Sequence, residues 1–599
     1  VGVEESHSRG TCILLILAVI AFLLTLAPAL SAAQPEPGAA ETPFYSLIVT
    51  ASKFDRDEEV TVLDVRTLEQ AGAVTVADAL RLTPEVVVLQ YGPRGSIDKI
   101  GVKGAGFTQA LLLLDGSPSP ALGAPVVLDL PLSMVERIEI IKGRRSLGGA
   151  GAINIVTKAA QATAAHVSSA SGFAGRDISA VDAGSFNTTD YRASASMTSE
   201  PSSVPGLYDR QSYVQLRFDH EFSPRSELSA SFTFGVAERP LGEDGSFAAQ
   251  GAERLEDAAA LDVSYAYELP QGLVETKGFA RIARRGFELF SGFSGEKTSL
   301  VGTEVRATLE TADRALTVGA LATREAGYTV AFATPVTVAE SRMLFSELTQ
   351  NVGENTSATI GARAHFAPAF APVLSPSLLV TVRPLPQITL RASAAHAFRT
   401  PGLTELKAQA AGDPKLEPQR GWRYELGLSR EIGRGGIDIG VYQERIADRI
   451  SWKSDGQGAV RPVNLSETVA QGVEVGLRAA LGRGLSSILS WRSIDDREVA
   501  TGAKVPYVPS SEVRLGLYYA GEATRGNLEL QVLGERLDGI GASFSSQAVA
   551  NGRIVHSAGR NLDIFVEGYN LFDVQEEEPG EALSTSAGRT VLVGASLKF

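Results

Sequence analysis

At 599 residues the chain is longer than one ordinary domain and has room for a large core, or for a large barrel with something inside it. A formal net charge of −14 argues against a nucleic-acid-binding surface, which calls for a basic patch or stripe. Gly 60 and 7% aromatic residues suit a chain rich in strands and turns.

The first residues read as a secretory signal. Arg9 supplies a positive charge, residues 13–26 form an apolar run, and PALSAAQ follows, with Ser31 and Ala33 suiting positions −3 and −1 of a small-residue cleavage site. Residues 1–33 are therefore expected to be removed. The alternative, a retained membrane anchor, is disfavoured by that site and by the QPEPG segment after it. The single cysteine, Cys12, lies within the signal, so the secreted chain is expected to have no disulfide, no thiolate metal site and no cysteine nucleophile. No later segment offers the ~18 uninterrupted apolar residues of a membrane helix. That leaves a soluble secreted protein or a closed barrel, because in lipid only helices and closed barrels satisfy the backbone.

Residues 34–52 form a tail, and residues 53–160 have the grammar of a compact α/β domain. VTVLDV (60–65) reads as a strand. TVADALRL (75–82) reads as a short helix, with Thr75 and Asp78 placed as a capping-box pair. VVVLQ (86–90) and ALLLLDG (110–116) read as buried strands, and RIEIIKG (137–143) as an alternating one.

From residue 161 to 599 alternation dominates. YVQLRFDHEF (213–222), ALDVSYAYEL (260–269), RYELGLSREI (423–432), GVEVGLRAAL (472–481) and RTVLVGASLKF (589–599) each have one apolar and one polar face over near ten residues. This is the signature of transmembrane β-strands, at ~10 residues per crossing. A soluble β-sandwich or solenoid shares the period. However, the polar face carries Arg217, Asp219, Asp262, Glu425, Asp438 and Glu474, which a wide barrel can place in its lumen. Shared among the ~22 strands of plugged transporters, this region supplies about 20 residues per strand, half to cross and half to turn. The reading is a mainly β protein: a large antiparallel transmembrane β-barrel of about 22 strands, with a small N-terminal α/β plug in its lumen.

Several strings carry a resemblance to one family. SLIVTASK (46–53), VADALRLTPEVVV (76–88), IGVKGAG (100–106), ALLLLDGSP (110–118), VERIEIIKG (135–143) and AINIVTK (152–158) are similar, in order, to the TonB box and plug of TonB-dependent outer-membrane receptors. FRTPGLTEL (398–406), GDPKLEPQRGWRYELGL (412–428), VNLSETVAQGVEVGL (463–477) and YNLFD (569–573) resemble that family's barrel landmarks. The short barrel resembles the cobalamin-receptor branch more than the longer siderophore branches. There are departures. GRRSLGGAGAINI (143–155) is contracted, and two plug arginines of the family are lysines here, Lys103 and Lys142.

The resemblance implies import rather than catalysis. A scarce metal chelate, cobalamin or siderophore-like, would be captured outside and drawn into the periplasm with energy delivered by TonB and its inner-membrane motor proteins. The TonB box would be Tyr45, Ser46, Leu47, Ile48, Val49, Thr50 and Ala51, an extended, nearly uncharged segment suited to strand addition. Lys103, Lys142, Glu425 and Glu474 would form a plug–barrel charge cluster, with Arg144 and Arg145 as stand-ins if the lysines, which lack the arginine fork, hold less firmly. The aromatic end, Phe599, resembles the signal read by the barrel-assembly machinery. The protein would sit in outer-membrane lipid as a monomer, with no nucleic-acid partner and no resident cofactor. Residues 399–420 contain no histidine, which counts against haem, and His396 reads as a structural strand residue. GEDGS (242–246) is too sparse in carboxylates for calcium and reads as a turn.

Rivals are answered from the same residues. A passive porin needs no plug. A signalling transducer would need a further domain between Gln34 and Tyr45, where only a short tail lies. No G-x-S-x-G elbow, H-E-x-x-H or P-loop marks an enzyme. A degenerate plugged barrel that only binds its ligand is the remaining alternative, raised by the contracted loop.

Overall fold

In the computed structural model, the residues described are 60–64, 73–81, 86–90, 97–102, 111–120, 124–141, 151–160, 166–172, 175–201, 208–240, 253–289, 292–329, 337–407, 413, 415–433, 435–454, 460–506, 508–537, 541–574 and 589–598. The signal segment, the tail with the proposed box, Lys103, Lys142, Arg144, Arg145, the 242–246 turn and Phe599 lie outside them.

The first domain is built around a five-stranded sheet. β1 (Val60–Asp64) pairs antiparallel with β6 (Val135–Ile141), and β6 pairs antiparallel with β7 (Ala152–Thr157). β7 then pairs parallel with β4 (Leu111–Leu114), which turns back into β5 (Ser117–Pro118). Asp115 and Gly116 at that turn both have positive φ, as a tight Asp-Gly hairpin requires. β2 (Val86–Gln90) and β3 (Ile97–Val102) make a separate hairpin. Helix α1 (Val76–Arg81) starts as its sequence dictates: the Asp78 amide donates to Thr75 Oγ1 at 3.2 Å, and the Thr75 amide donates back to Asp78 Oδ2 at 3.0 Å. Helix α2 (Ala124–Leu128) packs beside it. Val76, Leu80, Leu114, Leu130, Ile138, Ile140, Ile153 and Ile155 form the core, and Tyr213 and Ala260 of the second region close it from outside.

The second region is a closed barrel of 22 strands, each paired with its antiparallel neighbours. The seam joins the last strand, Thr590–Lys598, to the first, His166–Gly172. The alternation in the sequence sets the facing. On Glu253–Leu269, Leu261, Val263, Tyr265 and Tyr267 are each about 40% exposed, while Asp262 between them is only 5% exposed. Apolar side chains therefore point out to lipid and polar ones into the lumen, the reverse of a soluble core. Among the described residues no helix is long and apolar enough to cross a membrane.

The strands differ from the sequence expectation in length. Gly272–Leu289 has 18 residues, Gly435–Ser454 has 20 and Val460–Gly482 has 23, where about ten were expected. About ten residues still suffice to cross. The rest extend past the lipid at the end with the longer connections, where the outward face turns polar. Much of the chain expected in turns is therefore strand.

Candidate functional site: the plug–barrel interface

The first domain sits inside the barrel, and polar groups at three places hold it to the wall. The first is the β4–β5 turn. Asp115 is buried and accepts from the Thr157 amide at 2.8 Å and from Ser231 Oγ on the wall at 3.3 Å. Lys277 Nζ donates to the Asp115 carbonyl, and Arg281 Nη2 donates to the Leu114 carbonyl at 3.2 Å while pairing with Asp262 at 2.8 Å. Arg217 and Lys277 of the wall, with Asp262, face Asp115 and Arg137 of the plug across a polar cavity at this point.

The second anchor is Asp129, just past α2. Arg239 of the wall donates to it at 2.6 Å and also pairs with Glu256. Glu256 is held in addition by Arg254 at 2.8 Å and Arg285 at 3.0 Å. Burial pushes the Asp129 carboxyl up to about 7, against the pull of Arg239. Beside it Tyr213 Oη donates to the Val126 carbonyl at 3.2 Å. This close approach needs Gly235: a Cβ there would stand 2.4 Å from Val126 and 2.7 Å from the Tyr213 ring.

The third anchor is the C-terminal end of α1. Arg514 Nη1 donates to the Val86 carbonyl at 2.8 Å and to the Arg81 carbonyl at 3.1 Å, which supplies partners for backbone acceptors at the end of a helix. Arg514 is itself oriented by Glu512 at 3.3 Å, which also pairs with Arg492 at 3.0 Å. Arg81 pairs with Asp78 at 2.5 Å, lies 3.9 Å from Glu529 and stacks over the Tyr569 ring at 5.7 Å. The link out of the plug is pinned too: the Ala160 amide donates to Asp219 of the wall at 2.8 Å.

The result is a small domain with its own core, docked inside a closed 22-strand barrel. The TonB-dependent Receptor Plug Domain family matches residues 52–156, and the TonB dependent receptor-like β-barrel family matches residues 159–575. The chain belongs to the TonB-dependent receptor family.

Members of this family are outer-membrane β-barrel transporters rather than enzymes. The chain is similar to the Vitamin B12 transporter BtuB of Vibrio vulnificus strain YJ016, with 24% identity over 72% of this chain and 75% of that one. With the BtuB of Vibrio cholerae the match is 36% identical but covers 20% of this chain and only 21% of that protein. In fold it is similar to the siderophore receptor PirA of Acinetobacter baumannii, at a TM-score of 0.75, 14% identity and coverage of 91% and 99% of the two chains. It is also similar to the ferric enterobactin receptor PfeA of Pseudomonas aeruginosa, at a TM-score of 0.74, 16% identity and coverage of 90% and 98%.

Of the receptor residues singled out from sequence, the box (45–51), Lys103 and Lys142 lie outside the described residues. Glu425 and Glu474 are described, and strand register puts them on one face. Glu425 lies opposite Tyr442, Tyr442 opposite Gly472, and Glu474 is two residues further on. Both face the lumen, two strands apart. Arg423 Nη2 lies 3.1 Å from Glu425 and its guanidinium stacks 4.3 Å over the Tyr442 ring; Glu474 is buried. His396 has a structural setting, with its Nδ1 3.2 Å from Ser375 Oγ and its ring against Trp422. In the FRTPGLTEL segment Arg399 forks onto Glu405 at 2.8 and 2.9 Å, holding the short helix α3 (Leu403–Lys407) at the long-loop end of the barrel.

The anchors Asp115, Asp129, Arg239, Lys277, Arg281 and Arg514 were not singled out from sequence. One signal for them was present: charges at lumen parity within otherwise apolar-alternating strands, as at Arg239, Arg281 and Arg514.

Proposed function

We propose that this receptor binds a scarce metal chelate of the cobalamin or siderophore class at its outer side and imports it into the periplasm with energy relayed by TonB. The observation that carries the reading is a plug with its own hydrophobic core, filling the lumen and fixed to the wall by polar contacts. Such a plug closes the barrel at rest, and water can replace its anchors when it moves. The outer membrane offers no ATP, so that movement needs a pull from the periplasmic side. Residues 45–51 supply an extended handle for strand addition to a partner sheet. Similarity over most of the chain to a Vitamin B12 transporter favours a corrinoid, while the fold is equally that of siderophore receptors.

In the same reading, Lys103 and Lys142 approach Glu425 and Glu474 as a further plug–wall latch. The assembly machinery reads Phe599, and the receptor works as a monomer in outer-membrane lipid.

The test is uptake of radiolabelled cyanocobalamin and of ferric siderophores by cells with and without TonB, comparing the natural chain with Leu47→Pro and Val49→Pro. A proline removes a ladder donor. Uptake is expected to vanish in both variants and without TonB, while surface binding of the same ligand persists. Uptake independent of TonB, or normal uptake by both proline variants, would refute the handle. Binding with no uptake by the natural chain would favour the alternative of a receptor that only binds.

A further inference from the structure

The inner wall beside the plug holds buried polar groups that the three anchors do not use. They lie on Thr189–Pro201 and Tyr208–Ser223, which are neighbouring antiparallel strands of the barrel. Ser194 stands directly opposite Gln215, and Arg192 directly opposite Arg217. Residues directly opposite share a face, so all four point where Tyr213 and Asp219 point, into the lumen. Tyr213, on one side of them, donates to the Val126 carbonyl of the plug; Asp219, on the other, holds the Ala160 amide. The group therefore sits in the seam between plug and wall. Arg192 is three residues past the short turn that pairs Phe186 with Thr189, and in outer-membrane barrels the short turns face the periplasm.

These side chains are enclosed and unsatisfied. Ser194 and Gln215 are each 1% exposed and Arg192 is 9% exposed. Ser194 Oγ, both polar atoms of the Gln215 amide and Arg192 Nε are buried with no hydrogen-bond partner. Arg217 is already occupied, since it donates to Asp219 at 3.0 Å and to Ser229 at 3.5 Å. Arg192 is not: among the described residues no carboxylate is close enough to act on its charge. The neighbouring Arg217 also borders the polar cavity lined by Asp115, Thr157 and Lys277, so polar space between plug and wall adjoins the group.

We propose that Arg192, Ser194 and Gln215 form a binding site for hydrogen phosphate in the plug–wall seam. Ordered water satisfies a buried hydroxyl or amide, but it leaves the Arg192 cation without a counter-charge, which is costly in a dry seam. An oxyanion supplies that charge, and a guanidinium fork matches its oxygens. Gln215 then sorts one oxyanion from another. Its amide both donates and accepts, so an ion that carries a proton satisfies both atoms and a fully ionised one does not. Hydrogen phosphate carries that proton at neutral pH, whereas sulfate and phosphodiesters do not. Because the plug covers the site, the ion binds the docked arrangement and stabilises it by mass action. The hold on the plug thus depends on phosphate, independently of what passes through the lumen.

The test uses the full-length receptor purified in detergent and dialysed free of phosphate. Calorimetric titration with inorganic phosphate, sulfate and dimethyl phosphate at constant ionic strength measures binding, and the urea midpoint for proteolysis of the plug measures docking. The natural chain is expected to prefer phosphate and to gain midpoint as phosphate rises. Arg192→Ala should weaken phosphate binding about tenfold or more and abolish the gain. Without phosphate it should not lower the midpoint, because it removes an uncompensated buried charge. Gln215→Leu should bring phosphate down to the level of sulfate. Arg445→Ala, an exposed arginine paired with Glu467, should change nothing. Retention of the heat-modifiable band on gels shows that each variant is folded. The proposal is overturned if millimolar phosphate does not bind the natural chain, or if Arg192→Ala binds it equally well. It is also overturned if Arg192→Ala loosens the plug to the same extent with and without phosphate, or if the natural chain binds the three anions alike.

Discussion

The plug and the barrel follow opposite rules of burial. The plug is a miniature soluble domain: Ile138, Ile140, Ile153, Ile155 and Leu80 turn inward to a dry core, and its polar groups turn out. The barrel is inverted, with Leu261, Val263 and Ile282 turned to lipid and Asp262, Arg281 and Arg514 turned to the lumen. Where two such bodies meet, much of both surfaces is polar. The plug is thus held by ion pairs and hydrogen bonds, together with one apolar patch where Val126, Val127 and Leu130 meet Tyr213, Ala258 and Ala260 of the wall. A polar interface can be strong while dry and still be replaced by water contacts when the plug shifts. An apolar one would resist wetting throughout. The difference suits the proposed role, in which the plug holds at rest and lets go when pulled without unfolding its container.

That contrast can be broken at single residues. The largest effect is expected from Arg239→Ala, which leaves Asp129 buried without its cation. Losing one partner of a buried pair costs ~3–5 kcal/mol. The urea concentration at which proteolysis reaches the plug should fall sharply, while the barrel's heat-resistant gel band persists. An unchanged midpoint would mean that Asp129 does not anchor the plug. Arg514→Ala removes two charge-assisted hydrogen bonds to the Arg81 and Val86 carbonyls, at about 1.5–3 kcal/mol each. Part of that loss is expected to be made good by water. Faster hydrogen exchange confined to residues 76–90 is the expected signature, and equal exchange in plug and wall would contradict it.

Gly235→Leu tests close approach rather than charge, because its side chain would enter the space of Val126 and Tyr213. Overpacking of this kind costs ~1–3 kcal/mol. It should loosen the plug in the same proteolysis assay without lowering the melting temperature of a plug-deleted barrel carrying the same change. Thr75→Ala removes the α1 cap for about 1 kcal/mol. Unlike the three changes above, it should act within the plug, visible as raised exchange at residues 76–81 with wall contacts intact.

The smallest effect is a pH dependence. Burial raises Asp129 from 3.8 to about 7 in the docked plug, so docking favours its protonated form. That contribution is complete below pH 3.8 and is lost as pH rises through about 7. The plug should therefore be released at lower urea at pH 8 than at pH 6, and Asp129→Asn should flatten the difference. A dependence of the opposite sign, or one that survives in the asparagine variant, would assign the titration elsewhere.

Much of this architecture was legible in the chain itself. Period-two alternation announced the barrel strands because lipid on one side and a wet lumen on the other impose opposite demands on successive residues. Thr75 and Asp78 announced the start of α1 because a capping box is a local interaction complete within four residues. Strand length was not legible, because a strand continues past the bilayer on pairing with its neighbours, and nothing in one strand's pattern records how far its neighbours reach. Which lumen charges hold the plug was not legible either. Arg514 finds the Val86 carbonyl across 428 positions of sequence, and Arg239 finds Asp129 across 110. Local preference and periodicity were set by the sequence alone. Partners in the lumen were decided only when the barrel closed, because closure fixes the register that brings each inward charge level with one part of the plug.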